Sequence, residues 1–241
     1  MKPFYWVLII FSTAFILRIP AFFNPIVDED EAWYAVAANV INHGGLVYKD
    51  AVDLKPPLLF YIYALQFSIF GNDMRLLHFN TTFWILFTAF FIFKATTLLA
   101  DRRCAYIAAL LYVAFTPTFV PNALSTNAEI LMNLPLVCVF YLFLKGEQSK
   151  QPFLFFLSGS VCCLAALIKY QAGIALPVML GYLAIFKPII SGKAELKKGI
   201  LNSCWTLLGF AAVLAILFWY LNGWETGKIF IFGAGNSISS L

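Results

Sequence analysis

Apolar stretches long enough to cross a lipid bilayer dominate this sequence. A spanning helix needs about 20 largely apolar residues, because each residue adds about 1.5 Å toward a hydrocarbon core of roughly 30 Å. Seven stretches approach that length, over residues 4–22, 76–99, 104–121, 126–144, 153–169, 171–186 and 200–221. The pattern predicts an all-α, polytopic bundle of about seven transmembrane helices, forming a single transmembrane domain over residues 1–241.

Composition excludes a water-soluble domain. Of the 241 residues, 62% are hydrophobic and only 12% are charged, whereas soluble domains carry about 25% charged residues. The first apolar stretch has no small-residue cleavage site after it, and Arg18 lies near its far end. It is therefore interpreted as a retained span rather than a signal peptide.

A shorter apolar run, residues 56–70, begins with Pro56 and Pro57 and is predicted to lie along the membrane surface or to dip into it. If it is not counted as a span, the basic residues between the spans share one side, which the positive-inside rule identifies as cytoplasmic. These residues are Lys2, Arg102, Arg103, Lys145, Lys150, Lys187, Lys193, Lys197 and Lys198. Residues 21–75 are then an extracytoplasmic loop with interfacial helices, in a multi-pass protein of the cell inner or plasma membrane.

Four consecutive acids, Asp28, Glu29, Asp30 and Glu31, open that loop. Asp28 and Glu31 have the spacing of a helix-capping box, and carboxylates in a first helical turn are favoured by the helix dipole. Adjacent carboxylates near hydrocarbon also repel one another and are costly to desolvate. A structural cap and a functional site are therefore equal alternatives for this run.

Lys55 directly precedes Pro56 and Pro57, at the predicted start of a helix. A cation at a helix N-terminus opposes the helix dipole, unless solvent screens it or an anion occupies the same place. A bound phosphate would interact favourably with the Lys55 ammonium group and with the helix N-terminus at the same time. The alternative is a lysine that reaches from the interface into water.

Polar residues at the outer ends of later spans form a third group of candidates. Arg75, Asn122, Glu129 and Lys169 lie there, and ionisable residues at membrane depth indicate function. Glu129 could equally be a first-turn acid after an N-cap at Thr126 or Asn127, and Lys169 could mark a tight outer hairpin.

Histidines and cysteines show no pattern of a metal site or a catalytic triad. His43 and His78 have no acid or cysteine at a suitable spacing and receive no role. All five cysteines fall within apolar stretches, which indicates packing residues rather than a disulfide framework. They are Cys104, Cys138, Cys162, Cys163 and Cys204.

The order of these elements resembles one family, the membrane glycosyltransferases of the GT-C fold, in the branch with protein O-mannosyltransferases and lipid A aminoarabinose transferases. The elements that carry the resemblance are Asp30, Glu31, Tyr34 and Ala35 after the first span, residues 45–48, Lys55 with Pro56 and Pro57, Phe70 and Gly71 before Arg75, Asn127 to Glu129, and Lys169. The likeness extends over nearly the whole chain, and its specific parts are the Asp-Glu and Lys-Pro elements.

The resemblance implies transfer of a sugar from a polyprenyl-phosphate donor to a lipid, glycan or protein acceptor at the extracytoplasmic face. By motif position, Asp30 is the catalytic base and Lys55 holds the donor phosphate. The further substrate-binding candidates are Glu31, Tyr34, Arg75, Glu129 and Lys169. No metal site and no cofactor are assigned, although the acidic run leaves a divalent ion as an alternative.

Two departures from the family pattern shape the expectations. Trp33 stands where aminoarabinose transferases carry an arginine, which puts that particular sugar in doubt. Family members also continue for several more spans, so the chain is expected to be an N-terminal portion with little turnover by itself.

Two alternatives to an enzyme stay open. One is a transporter or flippase of lipid-linked sugars, and the other is a truncated, non-catalytic remnant of the transferase. Transporters carry charged or broken helices near the middle of the membrane, whereas most ionisable residues here lie near the ends of the predicted spans. That distribution favours the enzyme over the transporter.

Overall fold

The structure, a computed structural model, describes residues 2–51, 53–117, 123–192 and 194–222. Within them it forms ten α-helices: α1 (Pro3–Phe23), α2 (Glu29–Asn42), α3 (Pro57–Phe70), α4 (Met74–Thr96), α5 (Arg102–Phe115), α6 (Ala128–Ser149), α7 (Pro152–Ile168), α8 (Ala175–Gly181), α9 (Lys187–Ser191) and α10 (Ala194–Asn222). A 3-10 turn, Tyr170–Ile174, leads into α8, and a π turn, Tyr182–Phe186, joins α8 to α9. Asn122, Lys193, residues 223–241 and the last four residues of the predicted span 104–121 lie outside the described residues.

The predicted fold class, an all-α polytopic bundle, is confirmed. Helical structure occupies each of the seven predicted ranges, as far as those ranges are described. Five helical runs have the length and apolar character of a span: Pro3–Phe23, Met74–Thr96, Ala128–Ser149, Tyr170–Ser191 and Glu195–Tyr220. Of the other two predicted spans, α7 has 17 residues and α5 is described over 14.

Local sequence signals fix the ends of the short helices. The capping box predicted from Asp28 and Glu31 is formed at the start of α2, and Gly44 after its end has a φ of +85°, a conformation that glycine adopts without strain. Pro57 is the first residue of α3, where its missing N–H costs no helical hydrogen bond. Of the two possible N-caps of α6, Asn127 is the one used, and its side chain accepts a hydrogen bond from Ile130 N.

Helix α7 packs between α6 and α10, and its contact with α10 is very close. A Cβ added to Gly159 would lie 1.9 Å from Thr206 O, and one added to Gly209 would lie 1.9 Å from Phe156 O. Small residues at such contacts let helix backbones approach, which is a common device in membranes. The sequence therefore builds the α7–α10 interface around these two glycines.

The two short helices α2 and α3 pack against each other at one end of the bundle. Tyr34 of α2 meets Phe60 and Tyr63 of α3 edge to face, with ring centroids 5.9 Å and 5.6 Å apart. The same buried cluster includes Ala128 at the start of α6 and Ile168 at the end of α7. This packing brings the N-terminal turn of α2 close to the first turn of α6 and the last turn of α7.

Candidate active site

An ion pair between Asp30 and Lys55 forms the centre of the site. Lys55 Nζ lies 2.7 Å from Asp30 Oδ2, and the two side chains are 32% and 56% exposed respectively. Asp53 Oδ1 accepts hydrogen bonds from Leu54 N and Lys55 N, while Tyr48 Oη donates to Lys55 O at 2.7 Å. The turn ahead of α3 is thereby fixed, and it points the ammonium group toward α2.

Tyr34 supports both members of this pair. It lies one helical turn after Asp30, and its hydroxyl donates to Asp30 Oδ2 at 3.1 Å. Its ring centroid is 4.7 Å from Lys55 Nζ, a cation–π contact. The Tyr34 hydroxyl and the Lys55 ammonium group both donate to Asp30 Oδ2. Within the described part of the chain, Asp30 Oδ1 is therefore left to accept a further hydrogen bond.

Electrostatics keep Asp30 ionised near neutral pH. The hydrogen bond from Lys55 holds the pKa of Asp30 below its ordinary value, against the opposing effect of partial burial, and the charge of Lys169 acts in the same direction as Lys55. Burial, together with the negative charge of Asp30, raises the pKa of Tyr34 far above its usual range. Asp30 is therefore a proton acceptor and Tyr34 remains a proton donor.

A second ion pair, between Glu129 and Lys169, lies near the first. Glu129 is in the first turn of α6, Lys169 follows the last residue of α7, and the ammonium group contacts the carboxylate directly. Lys169 lowers the pKa of Asp30 by its charge, and Glu129 raises that of Tyr34. Four elements that are distant in sequence thus bring five predicted site residues into one charged cluster.

Glu31 is predicted to bind substrate, but the structure places it elsewhere. Its side chain is fully buried, with 0% exposure, and accepts hydrogen bonds from Val27 N, Asp28 N and Thr126 N. Burial raises the pKa of its carboxyl group, and the three backbone donors oppose that rise. The contacts of this carboxylate are therefore with backbone groups outside the charged cluster, and substrate binding by Glu31 stays a prediction that this geometry does not favour.

Arg75 also lies apart from the cluster. It pairs with Asp73 at 3.3 Å on an exposed surface at the start of α4. Helix α3, with 14 residues and therefore about 20 Å long, separates this position from Lys55. This geometry does not support the expected contact between Arg75 and the substrate of the same site.

Three buried polar residues next to the site carried no usable sequence signal. His78 Nε2 lies 3.5 Å from Glu31 Oε1, and both side chains are fully buried. Arg18, which the sequence shows only as an interruption near the end of a span, is buried and bound to backbone carbonyl groups. The sequence marks Thr126 only as a possible N-cap of a helix. Their partners are 45 to 106 positions away, and no local pattern encodes such pairing.

The acidic run does not converge on one point. Asp28 caps α2, Asp30 pairs with Lys55 and Glu31 is buried, so the carboxylates are directed to different partners. Among the residues that the structure describes, no group of three or more His, Cys, Asp or Glu side chains has the arrangement of a metal site.

These features define a helical membrane protein with a charged cluster at the ends of its helices. A family model described as dolichyl-phosphate-mannose-protein mannosyltransferase matches residues 54–220, which is more than half of the sequence, and the chain belongs to that family. The expected relationship to GT-C mannosyltransferases is thereby confirmed. The matched range includes Lys55, Glu129 and Lys169, whereas Asp30 and Tyr34 precede it.

A relative in Aquifex aeolicus (strain VF5), named only as an uncharacterized protein, is 27% identical over 174 residues. The alignment covers 69% of this chain and 35% of the relative, so the chain spans about a third of the length of that protein. No solved structure matches the chain.

Proposed function

We propose that this chain is part of an integral membrane glycosyltransferase that uses a polyprenyl-phosphate sugar as donor. The acceptor is a hydroxyl group of a lipid, glycan or protein at the extracytoplasmic face. The observation that carries the proposal is the 2.7 Å pair of Asp30 and Lys55, in which a proton acceptor and a cation meet at the edge of a membrane bundle. Family membership supports the reaction class.

In this proposal Asp30 is the general base. Its Oδ1 accepts the proton of the acceptor hydroxyl as that oxygen attacks the anomeric carbon of the sugar. The bond between the anomeric carbon and the phosphate oxygen breaks, and its electron pair leaves with the polyprenyl phosphate. The lowered pKa of Asp30 keeps the carboxylate available at neutral pH.

Lys55 and Lys169 supply positive charge for the leaving group. Negative charge grows on the donor phosphate as the bond breaks, and fixed cations near it stabilise that change more than they stabilise the bound donor. In the structure each cation has a carboxylate partner, Asp30 for Lys55 and Glu129 for Lys169. Donor phosphate therefore competes with Asp30 for Lys55, and its binding strengthens Asp30 as a base by loosening the ion pair.

Turnover by the full-length protein tests this function. The purified protein, reconstituted in lipid, is given polyprenyl-phosphate sugars and hydroxyl acceptors, and sugar transfer is followed by mass spectrometry. We expect transfer by the wild-type protein and by a Glu29→Gln control, and its loss in Asp30→Asn. An Asp30→Asn protein with wild-type turnover would overturn the assignment of Asp30, and movement of an unreacted lipid-linked sugar across the bilayer would favour a flippase.

A further inference from the structure

Glu31 joins α2 to a segment far away in the sequence. Its Oε1 accepts hydrogen bonds from Val27 N at 2.5 Å and Asp28 N at 3.3 Å, which close the start of α2. Its other oxygen, Oε2, accepts a hydrogen bond from Thr126 N at 2.9 Å. Thr126 belongs to residues 123–127, here called the hub loop, which leads directly into α6. One buried carboxylate thus connects α2 with the start of α6.

Thr126 is held by two further helices. Tyr63 of α3 donates its hydroxyl hydrogen bond to Thr126 O, and Thr81 Oγ1 of α4 lies 2.7 Å from Thr126 Oγ1. His78, also on α4, places Nδ1 3.4 Å from Thr126 Oγ1 and Nε2 3.5 Å from Glu31 Oε1. The backbone and the side chain of Thr126 are both fixed, so the hub loop has little freedom relative to α3 and α4.

The other end of the hub loop is bound by α1. Arg18 donates from Nη2 to Leu124 O at 2.8 Å and from Nη1 to Ala123 O at 3.5 Å, and it is 1% exposed. Burying a charged group is costly unless hydrogen bonds compensate it, and these two bonds satisfy Nη1 and Nη2, whereas Nε has no hydrogen-bond partner among the described residues. Side chains of α1, α2, α3 and α4 therefore converge on the loop from which α6 begins.

We infer that Glu31 is a positioning residue, which sets the helix that carries Asp30 against the helix that carries Glu129. Asp30 is the neighbour of Glu31 on α2, and Glu129 lies three residues after Thr126. The inference rests on the proposed function, because it assigns Glu31 the task of holding Asp30 at the right distance from the Glu129–Lys169 pair. Glu31 does not touch the substrate.

The geometry requires a glutamate at this position. A carboxylate offers two acceptor oxygens with no hydrogen, which suits three backbone donors on opposite sides. Glutamine has one acceptor oxygen and would turn an NH₂ group toward at least one of those donors. Aspartate is one methylene shorter and would leave Thr126 N without its partner, and an unpaired buried donor is costly.

Two measurements on the full-length protein in lipid test the inference. Glu31→Gln and Glu31→Asp are compared with wild type and with Glu29→Gln, which alters an exposed acid in the same turn of α2. Hydrogen–deuterium exchange reports on residues 123–131, with α10 as an internal reference. Steady-state kinetics separate kcat from the KM for donor. Using two variants keeps the test decisive if one of them does not fold.

We expect faster exchange in residues 123–131 of the Glu31 variants and unchanged exchange in α10. We also expect kcat to fall by about tenfold to a hundredfold with the donor KM within about twofold of wild type, because a misplaced base affects chemistry more than binding. Unchanged exchange in both variants would overturn the inference, and so would faster exchange with wild-type kcat. Asp30→Asn is measured in parallel. If it is active, the proposed base is wrong, and the positioning role of Glu31 is wrong with it. The exchange data would still report whether Glu31 links α2 to the hub loop.

Discussion

Lys55 Nζ and Asp30 Oδ2 lie 2.7 Å apart, although 25 positions separate these residues in the sequence. A lysine just before a helix start is electrostatically unfavourable by itself, and the pair shows that a carboxylate of the neighbouring helix compensates for it. The same contact lowers the pKa of Asp30. The two residues to which we assign proton transfer and phosphate binding are thus coupled, and a change in either one alters the other.

Asp30→Asn should reduce turnover by about a hundredfold or more, because asparagine keeps the size and some hydrogen bonding but cannot accept the proton. Asp28→Asn should be mild, since asparagine caps a helix about as well as aspartate. Glu29→Gln should also be mild, because Glu29 is exposed. The measurement is initial rate at matched expression, with thermal unfolding as a check on folding. Equal losses in all three variants would indicate a shared electrostatic or metal-binding role.

The predicted orientation of the loop 21–75 can be tested by cysteine labelling. In a background without native cysteines, a membrane-impermeant maleimide added from outside should modify Asp50→Cys and leave Gln148→Cys unmodified. Both native side chains are exposed, so burial does not bias the comparison. Labelling after permeabilisation confirms that position 148 can react. Labelling of position 148 but not 50 in intact cells would place the site on the cytoplasmic side.

Features encoded by short stretches of sequence could be predicted. Span-length apolar runs gave the helical class, the spacing of Asp28 and Glu31 gave the capping box at α2, and Pro57 gave the start of α3. Each depends on residues within a few positions of one another, where periodicity and capping rules apply.

Features that depend on tertiary packing could not be predicted. The buried position of Glu31 follows from Thr126, which is 95 residues away, and the isolation of Arg75 follows from the direction of α3. Both residues are polar and lie near predicted helix ends, so the sequence does not distinguish them from Asp30 and Lys55. Only the path of the chain decides which polar groups meet.

Gly159→Ala tests the packing of α7 on α10. The added methyl group would lie 1.9 Å from Thr206 O, which is backbone and cannot move without shifting a helix. We expect a loss of roughly 1 to 3 kcal/mol in stability, seen as a lower unfolding temperature in detergent. Gly181→Ala is the matched control, because nothing lies within 4 Å of its new methyl group. If the two variants unfold at the same temperature, the close contact is absent.

Lys55→Ala should weaken use of the donor, while Lys55→Arg should be partly tolerated because it keeps the charge. Loss of a charge-assisted contact corresponds to roughly 1.5 to 3 kcal/mol, or about tenfold to a hundredfold in kcat/KM for donor. The acceptor KM should change little, and this distinguishes phosphate binding from general damage. If the donor kinetics of Lys55→Ala match those of wild type, Lys55 does not bind the donor phosphate, and its assigned role is reduced to the ion pair with Asp30.

The pH dependence of the reaction follows from the same pair. The pKa of Asp30 lies below its ordinary value of 3.8, so the carboxylate is ionised at pH values well above 3.8. The Asp30–Lys55 ion pair stabilises the folded protein over the same range. Ionisation and this stabilisation are lost as the pH falls through the lowered pKa. Donor kcat/KM of the wild type should therefore show no acid limb from Asp30 between about pH 5 and about pH 8.

Lys55→Met should move that limb to higher pH. The variant removes the hydrogen bond that lowers the pKa of Asp30, and the effect of partial burial, which raises it, is then opposed mainly by Tyr34 and Lys169. The residual activity of Lys55→Met should fall on the acid side of the profile, whereas Lys55→Arg should retain the flat profile of the wild type. Identical profiles for Lys55→Met and wild type, after scaling for the lower rate, would show that Lys55 does not control the protonation of the base.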